Sequence, residues 1–259
     1  MNKRATLLLI LLCFSLSGIY AQGSIDFEEN RNQYPDRVKY KVGLGSGITM
    51  FMENNCFTYV KYNPQQLEQI HENSHQDMNG DTRKTGMVDL HAFRVHFDGC
   101  RNDALISADG KRPYLTNYFK GNDPSRWASD VPSYSEVFYT GLYSGINLSA
   151  YSVNNTFKYD FIVAPFTDPS VIRMRFDHTD GIAVQNNMLI IHLSTGDIVE
   201  QVPYSYQEIG NSKIPVACEY HLEADGKTVT FRFPNGYNQN YKLVIDPVLV
   251  AATYSGAPA

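Results

Sequence analysis

Three groups of residues in this chain have the types and spacing to do chemistry: the histidines His71 and His75, the acidic turns around Asp177, Asp180 and Asp225, and an aromatic set around Trp127. HENSH sets His71 and His75 at i and i+4, which would put two imidazoles on one helical face, where zinc is often held. The segment from Glu72 to Thr85 is polar and nearly free of large apolar residues, and no third ligand stands close in sequence. The pair therefore reads as solvated histidines in a flexible loop. His91 and His96 are an odd number of residues apart, so on one strand they face opposite ways and cannot share a metal directly. DHTDG and EADGK resemble pieces of calcium loops but lack the alternating carboxylates, and Asp-Gly turns need no ion. No metal and no other cofactor is expected.

Trp127, with Tyr114, Tyr118, Tyr134 and Tyr139, has the makings of an aromatic platform on which sugar faces could stack, although a β core with tyrosine hydroxyls at its rim has the same composition. The usual catalytic signatures are missing: no serine sits in GxSxG, and there is neither HExxH nor a phosphate-binding Walker loop. Gly43, Gly45 and Gly47 alternate in GLGSG, but no helix pattern follows them, so they read as a hairpin turn. Paired carboxylates for glycoside hydrolysis are a spatial arrangement, and nothing in the sequence selects a pair.

The chain opens MNKRATLLLILLCFSLSGIYAQG, with basic Lys3 and Arg4, an apolar run from Ala5 to Phe14, and small residues beyond. That is the pattern of an export signal, with residues 1–21 removed and Gln22 leading the mature chain. Cys13 follows Leu12 inside the apolar run and does not suit lipidation. No later run is long enough for a transmembrane helix. Taking Lys3 and Arg4 from 22 basic residues against 27 acids leaves a net charge near −7. Phosphate backbones need clustered Lys and Arg, so nucleic acid is an improbable partner. Cys56, Cys100 and Cys218 remain in a compartment that permits disulfides, with at least one thiol left over and no CxxC pair among them. Buried cysteine acting as a small hydrophobe is the simplest reading, with one bridge as the alternative.

The elements that must carry these residues are strands. Short alternating runs recur: VKYKV (38–42), ITMFM (48–52), FTYVKY (57–62), AFRVHF (92–97), INLSAY (146–151) and FKYDFIV (157–163). VIRMRF (171–176), MLIIHL (188–193), IPVACEYHL (214–222), TVTFRF (228–233) and KLVIDPVLV (242–250) follow, with turn signals such as Asp180-Gly181, Asn186-Asn187 and Gly210-Asn211 between them. Such spacing predicts an all-β fold, a β-sandwich or two packed β subdomains. Only 64–73 has the pattern of a short helix. The irregular GNDPSRWASDVPSYS (121–135) suggests a connection between a first β region (22–120) and a second (136–250).

Several segments, in order, resemble one family: DFEENRNQYPDRVKYKV (26–42), CFTYVKY (56–62), NYFKGNDPSRWASDVPSYSEVFYTGLYSGINLSAYS (117–152), YDFIVAPFTDPSVIRMRF (159–176), VPYSYQE (202–208) and VIDPVLVAATYSG (244–256). They look like the uncharacterised N-terminal domain of large bacterial surface proteins, where it precedes β-propeller repeats and where many members end in a type IX secretion, gliding-motility-associated sorting domain. Asn32 and Tyr34 stand where that family commonly has Gly and Trp, and Cys56 where Gly is frequent. The resemblance implies an address, the surface or exterior of a Gram-negative bacterium, and brings no catalytic residues. VIDPVLVAATYSGAPA resembles the linker into a first propeller repeat, so residues 251–259 read as its beginning, with the chain a fragment or a truncated product. Two functions follow as expectations: a non-catalytic module that anchors or caps a surface protein and contacts a protein or glycan, or a carbohydrate-binding or carbohydrate-active secreted protein.

Overall fold

The computed structural model describes residues 25–76, 87–119 and 121–250. The export signal and the residues beyond Val250 lie outside these. The chain runs through β1 (Phe27–Glu29), β2 (Val38–Gly45), β3 (Ile48–Glu53), β4 (Cys56–Tyr62), α1 (Pro64–Gln76), β5 (Leu90–Phe97), β6 (Leu105–Tyr118) and β7 (Ala128–Tyr143). It continues with β8 (Ile146–Val153), β9 (Thr156–Val163), β10 (Met174–Asp177), β11 (Gly181–Gln185), β12 (Met188–His192) and β13 (Ile198–Glu200). It ends with β14 (Tyr204–Ile209), β15 (Ser212–Val216), β16 (Glu219–Leu222), β17 (Thr228–Arg232), β18 (Leu243–Asp246) and β19 (Leu249–Val250). All strand pairs are antiparallel, and the fold is all-β as the alternation predicts.

β7 organises the architecture. It pairs with β6 along most of its length, with β8 from Glu136 to Tyr143, and with β1 at Ser133 and Tyr134. A strand has two edges, so β8 and β1 follow one another along the edge opposite β6. There the large sheet divides into two arms, β8-β9-β18-β14-β15 and β1-β2-β3-β4-β5-β10-β17-β16. The arms face each other across one core, because inward rings meet between them: Phe57 of β4 lies 6.4 Å from Tyr159 of β9, and Phe161 of β9 lies 6.1 Å from Phe97 and 5.9 Å from Phe231. Edge-to-face pairs of this kind add about 0.5–1.5 kcal/mol each beyond the area they bury. A second sheet, β11-β12-β13-β19, lies against the same core.

The strands end where local chemistry makes them end. Asn154-Asn155 and Asn186-Asn187 both take left-handed conformations and close two-residue hairpins, as asparagine tolerates. The GLGSG run turns β2 into β3 through Ser46 and Gly47. KLVIDPVLV divides at Pro247, which has no N–H for a ladder: β18 stays in the large sheet and β19 joins the small one. IPVACEYHL divides likewise into β15 and β16, and in VIRMRF a 3₁₀ turn at Pro169–Val171 delays the strand to Met174.

Other departures from the sequence reading concern polar segments. The helix runs three residues past Asn73 to Gln76, into the stretch read as loop; Asn63 starts it, its side chain accepting from the Gln65 and Gln66 amides at 3.1 and 3.3 Å. The backbone is helical through His71 and His75, and the loop residues 77–86 lie outside the described part. The stretch 121–135 holds a 3₁₀ turn at Pro124–Arg126 and then the first half of β7, and the core is shared by strands on both sides of it. β6 escaped notice because Gly110 and Pro113 interrupt its pattern. Gly110 has a left-handed backbone, and a Cβ there would sit 1.8 Å from the Ser135 hydroxyl on β7.

Candidate functional site

The proposed aromatic platform does not assemble as one surface. Tyr139 is fully buried, its ring 6.0 Å from Phe57 and its hydroxyl donating to the Glu53 carbonyl at 2.8 Å, so it serves the core. Tyr118 donates to Glu28, and Tyr134 to Glu29 at 3.0 Å. Only Tyr114 and Trp127 present large exposed surfaces, and Trp127 stands with Phe119 rather than with the tyrosines, ring centroids 5.7 Å apart. The Trp127 indole donates to the Gly121 carbonyl at 3.3 Å, which fixes the ring at the end of the β6–β7 hairpin.

The opening motif folds into a self-supporting corner. The Asn30 amide nitrogen donates to the carbonyls of Tyr34, Pro35 and Val38, while its oxygen accepts from the Tyr34 amide. Asn32 takes a left-handed turn, which suits asparagine as well as glycine. Tyr34 then packs on Phe51 and near Tyr118, and burial with the Glu28 charge pushes its hydroxyl up to about 12. Beside this corner lies an open cleft of about 350 Å³ lined by Glu29, Asn30, Asn32, Asp36, Lys39 and Tyr40 among others.

Most acids elsewhere are tied to neighbours. Glu53 receives Thr58 at 2.8 Å and pairs with Arg37 and Arg94. His96 and Arg175 meet Asp177 on the outer face of β5 and β10, whereas His91, on the opposite face, contacts Ser194 and the His178 carbonyl. The two histidines are thus separated as their spacing requires. Asp225 caps its turn, accepting from the Lys227 and Thr228 amides and the Thr228 hydroxyl, and these bonds hold its carboxyl down to about 2. Among the described residues no group of three or more His, Cys, Asp or Glu is placed to hold a metal ion. Cys56, Cys100 and Cys218 are all free; Cys56 and Cys218 are buried, and burial raises their thiols.

One cluster was not found by sequence reasoning. On the outer face of β7, β8, β9 and β18, cross-strand pairing sets Phe138 beside Ser149 and Ser149 beside Asp160. The register of β9 with β18, Ile245 opposite Phe161, brings Asp246 next to Asp160. In the neighbouring row Tyr151 lies between Glu136 and Lys158. Lys158 Nζ is 2.8 Å from Asp246 Oδ2, and Tyr151 donates to Asp160 at 3.1–3.2 Å. Burial and the Asp246 charge push the Asp160 carboxyl up to about 6. The buried Asp246 Oδ1 has no hydrogen-bond partner. A shallow groove of about 400 Å³ opens over Glu136, Phe138, Ser149, Tyr151 and Asp160. The signal was present in period two: in FKYDFIV the apolar residues Phe157, Tyr159 and Phe161 go inward, so Lys158 and Asp160 share the outward face.

These features define an all-β domain with one aromatic core, a small second sheet, and acids used mainly to join strands. The chain belongs to the family of the domain of unknown function DUF7948, whose model matches residues 27–248. No curated protein and no solved structure matches it. Among the described residues no helix is long and apolar enough to cross a membrane.

Proposed function

We propose that the chain is a non-catalytic exported module of a cell-surface or secreted protein, an N-terminal structural and interaction domain standing ahead of β-propeller repeats. One observation supports this reading most: three buried acids each join segments that are far apart in the chain. Glu28 joins Tyr34 to Tyr118, Glu53 joins Arg37 to Arg94, and Glu200 joins Tyr159 to Tyr220. A scaffold uses its polar groups in this way, whereas an enzyme keeps some of them free for substrate. Protease shaving and antibody labelling of intact cells producing the full gene product test the address. Surface-accessible domain supports the reading, and a purely cytoplasmic product sinks it.

A second reading, carbohydrate binding, is favoured by the exposed Trp127 and Phe119, paired at the end of the β6–β7 hairpin. Aromatic faces stack on the C–H faces of sugars and gain by excluding water. A glycan array with wild type and Trp127→Ala should show binding that the variant loses. A purified chain that cleaved a polysaccharide, and stopped on replacement of two carboxylates, would overturn the non-catalytic reading in favour of an enzyme.

A further inference from the structure

We propose that Lys158 and Asp246 form an intramolecular amide cross-link between β9 and β18, with Asp160 as the proton-transferring group. Three features on the outer face carry the inference. The amine nitrogen already lies 2.8 Å from a carboxyl oxygen of Asp246, with 24% and 11% of the two side chains exposed. Asp246 Oδ1 is buried without a donor, as an oxygen awaiting one would be. Asp160 is the adjacent carboxyl in the β9–β18 register, is held by the Tyr151 hydroxyl, and is pushed up to about 6, which gives it a protonated fraction near neutrality. Holding two reactants in contact in a site that excludes most water replaces much of the barrier of a bimolecular condensation.

The step balances without any co-reactant. The Lys158 ammonium passes a proton to Asp246 Oδ2, leaving a neutral amine and a neutral acid. The Nζ lone pair attacks Asp246 Cγ, the C–N bond forms, and protonated Asp160 gives its proton to Oδ1. The Asp160 carboxylate then takes a proton from the new C–N nitrogen and delivers it to Oδ2. The Cγ–Oδ2 bond breaks, Oδ2 leaves as water, and the Oδ1 proton returns to Asp160. An ammonium and a carboxylate become one amide and one water, and Asp160 ends as it began.

The bond would close a loop between residues 88 apart and tie β18, the last strand of the large sheet in chain order, covalently to its neighbour β9. The chain's three described cysteines form no such bridge. Cross-links across long loops restrict the unfolded chain most. For a module at a cell surface, a tie that reduction cannot open would preserve the sheet under protease or pull.

Intact mass under denaturing conditions, with the N-terminus fixed by sequencing, tests the proposal on the wild-type chain. The expected result is a mass lower than the sequence by one water, with a proteolytic peptide pair joined through Lys158 and Asp246. Lys158→Arg and Asp160→Asn, checked for folding by circular dichroism, should both restore the full mass. A wild-type mass equal to the sequence after prolonged incubation of folded protein overturns the proposal. So does a water deficit that maps to an Asp-Gly succinimide or survives Lys158→Arg.

Discussion

Glu200 and Asp160 are both acids met by tyrosine hydroxyls, both pushed above the carboxylate range, and they differ in what does the pushing. Glu200, on β13 of the small sheet, is enclosed; burial raises its carboxyl, the Tyr159 and Tyr220 hydroxyls, each about 3.0 Å away, draw it partly back, and it stands at about 7. Asp160, on the outer face, is raised by partial burial and by a second carboxylate beside it. A buried acid with two donors and no rival charge is a latch: Tyr159 comes from one arm of the large sheet and Tyr220 from the other. An acid crowded by another acid and by an amine is a place where protons are exchanged. The same carboxyl group, in the same fold, meets an enclosed pair of hydroxyls in one place and a rival charge in the other, and its neighbours set the difference.

The largest effect should come from breaking the latch. Glu200→Ala takes the carboxyl acceptor from two buried tyrosine hydroxyls, leaving Tyr159 only the weak Met174 sulfur at 3.8 Å, at a cost of about 1–3 kcal/mol each, and opens a cavity besides. Chemical denaturation should show a loss of about 3–5 kcal/mol, and a loss under about 1 kcal/mol would mean that the small sheet does not depend on this contact.

The pH dependence of the latch follows from its sign. Glu200 has a folded pKa above its unfolded value, near 4.5, so its contribution is fully present below about 4.5 and is lost as pH rises through about 7. A shift of this size corresponds to roughly 3 kcal/mol across that window. Glu200→Gln, which keeps a carbonyl acceptor for the tyrosines, should flatten the curve between those limits and be the more stable chain at pH 8. An unchanged slope would locate the pH dependence elsewhere.

Asp160 should answer differently. In a Lys158→Ala chain, which keeps both carboxylates, adding Asp246→Asn removes the like charge and should bring the Asp160 titration down from its raised value toward the carboxylate range. Carboxyl NMR reads this directly. Glu200 should titrate where it did before, since Asp246 is not among the groups that shift it. Movement of both together would show that the two sites are coupled and would erase the distinction drawn between them.

How much of this was legible beforehand depends on which side of a strand carried the signal. Inward alternation was plain: Phe93, Val95 and Phe97 announced β5, and Phe157, Tyr159, Phe161 and Val163 announced β9. β6 was not, since an edge strand has little to bury and tolerates Gly110 and Pro113. The acidic row was hidden for another reason: Lys158 and Asp246 are distant in sequence, and only the pairing of β9 with β18 makes them neighbours. Tyr139 illustrates the reverse error, a ring counted with an exposed stacking platform, when it is buried in the core and its hydroxyl finds a backbone carbonyl inside.

The smallest effect on stability is expected at Trp127, the opposite extreme from both acids. Its ring is 41% exposed, touches Phe119 at one edge and donates one long bond of 3.3 Å, so the folded state gains little from it. Trp127→Ala should change stability by less than about 0.5 kcal/mol, as exposed positions away from caps and cores do. Tyr139→Ala should cost about 3–5 kcal/mol by emptying part of the core. The contrast separates two reasons for an aromatic residue: one ring ties β7 to β3 and β4 inside the core, and the other is left over by folding. If Trp127→Ala destabilised the chain as Tyr139→Ala does, the hairpin end would be part of the structural core and its role in binding would lose its motive. If stability held while glycan binding vanished, the exposed ring would be accounted for by a ligand rather than by the fold.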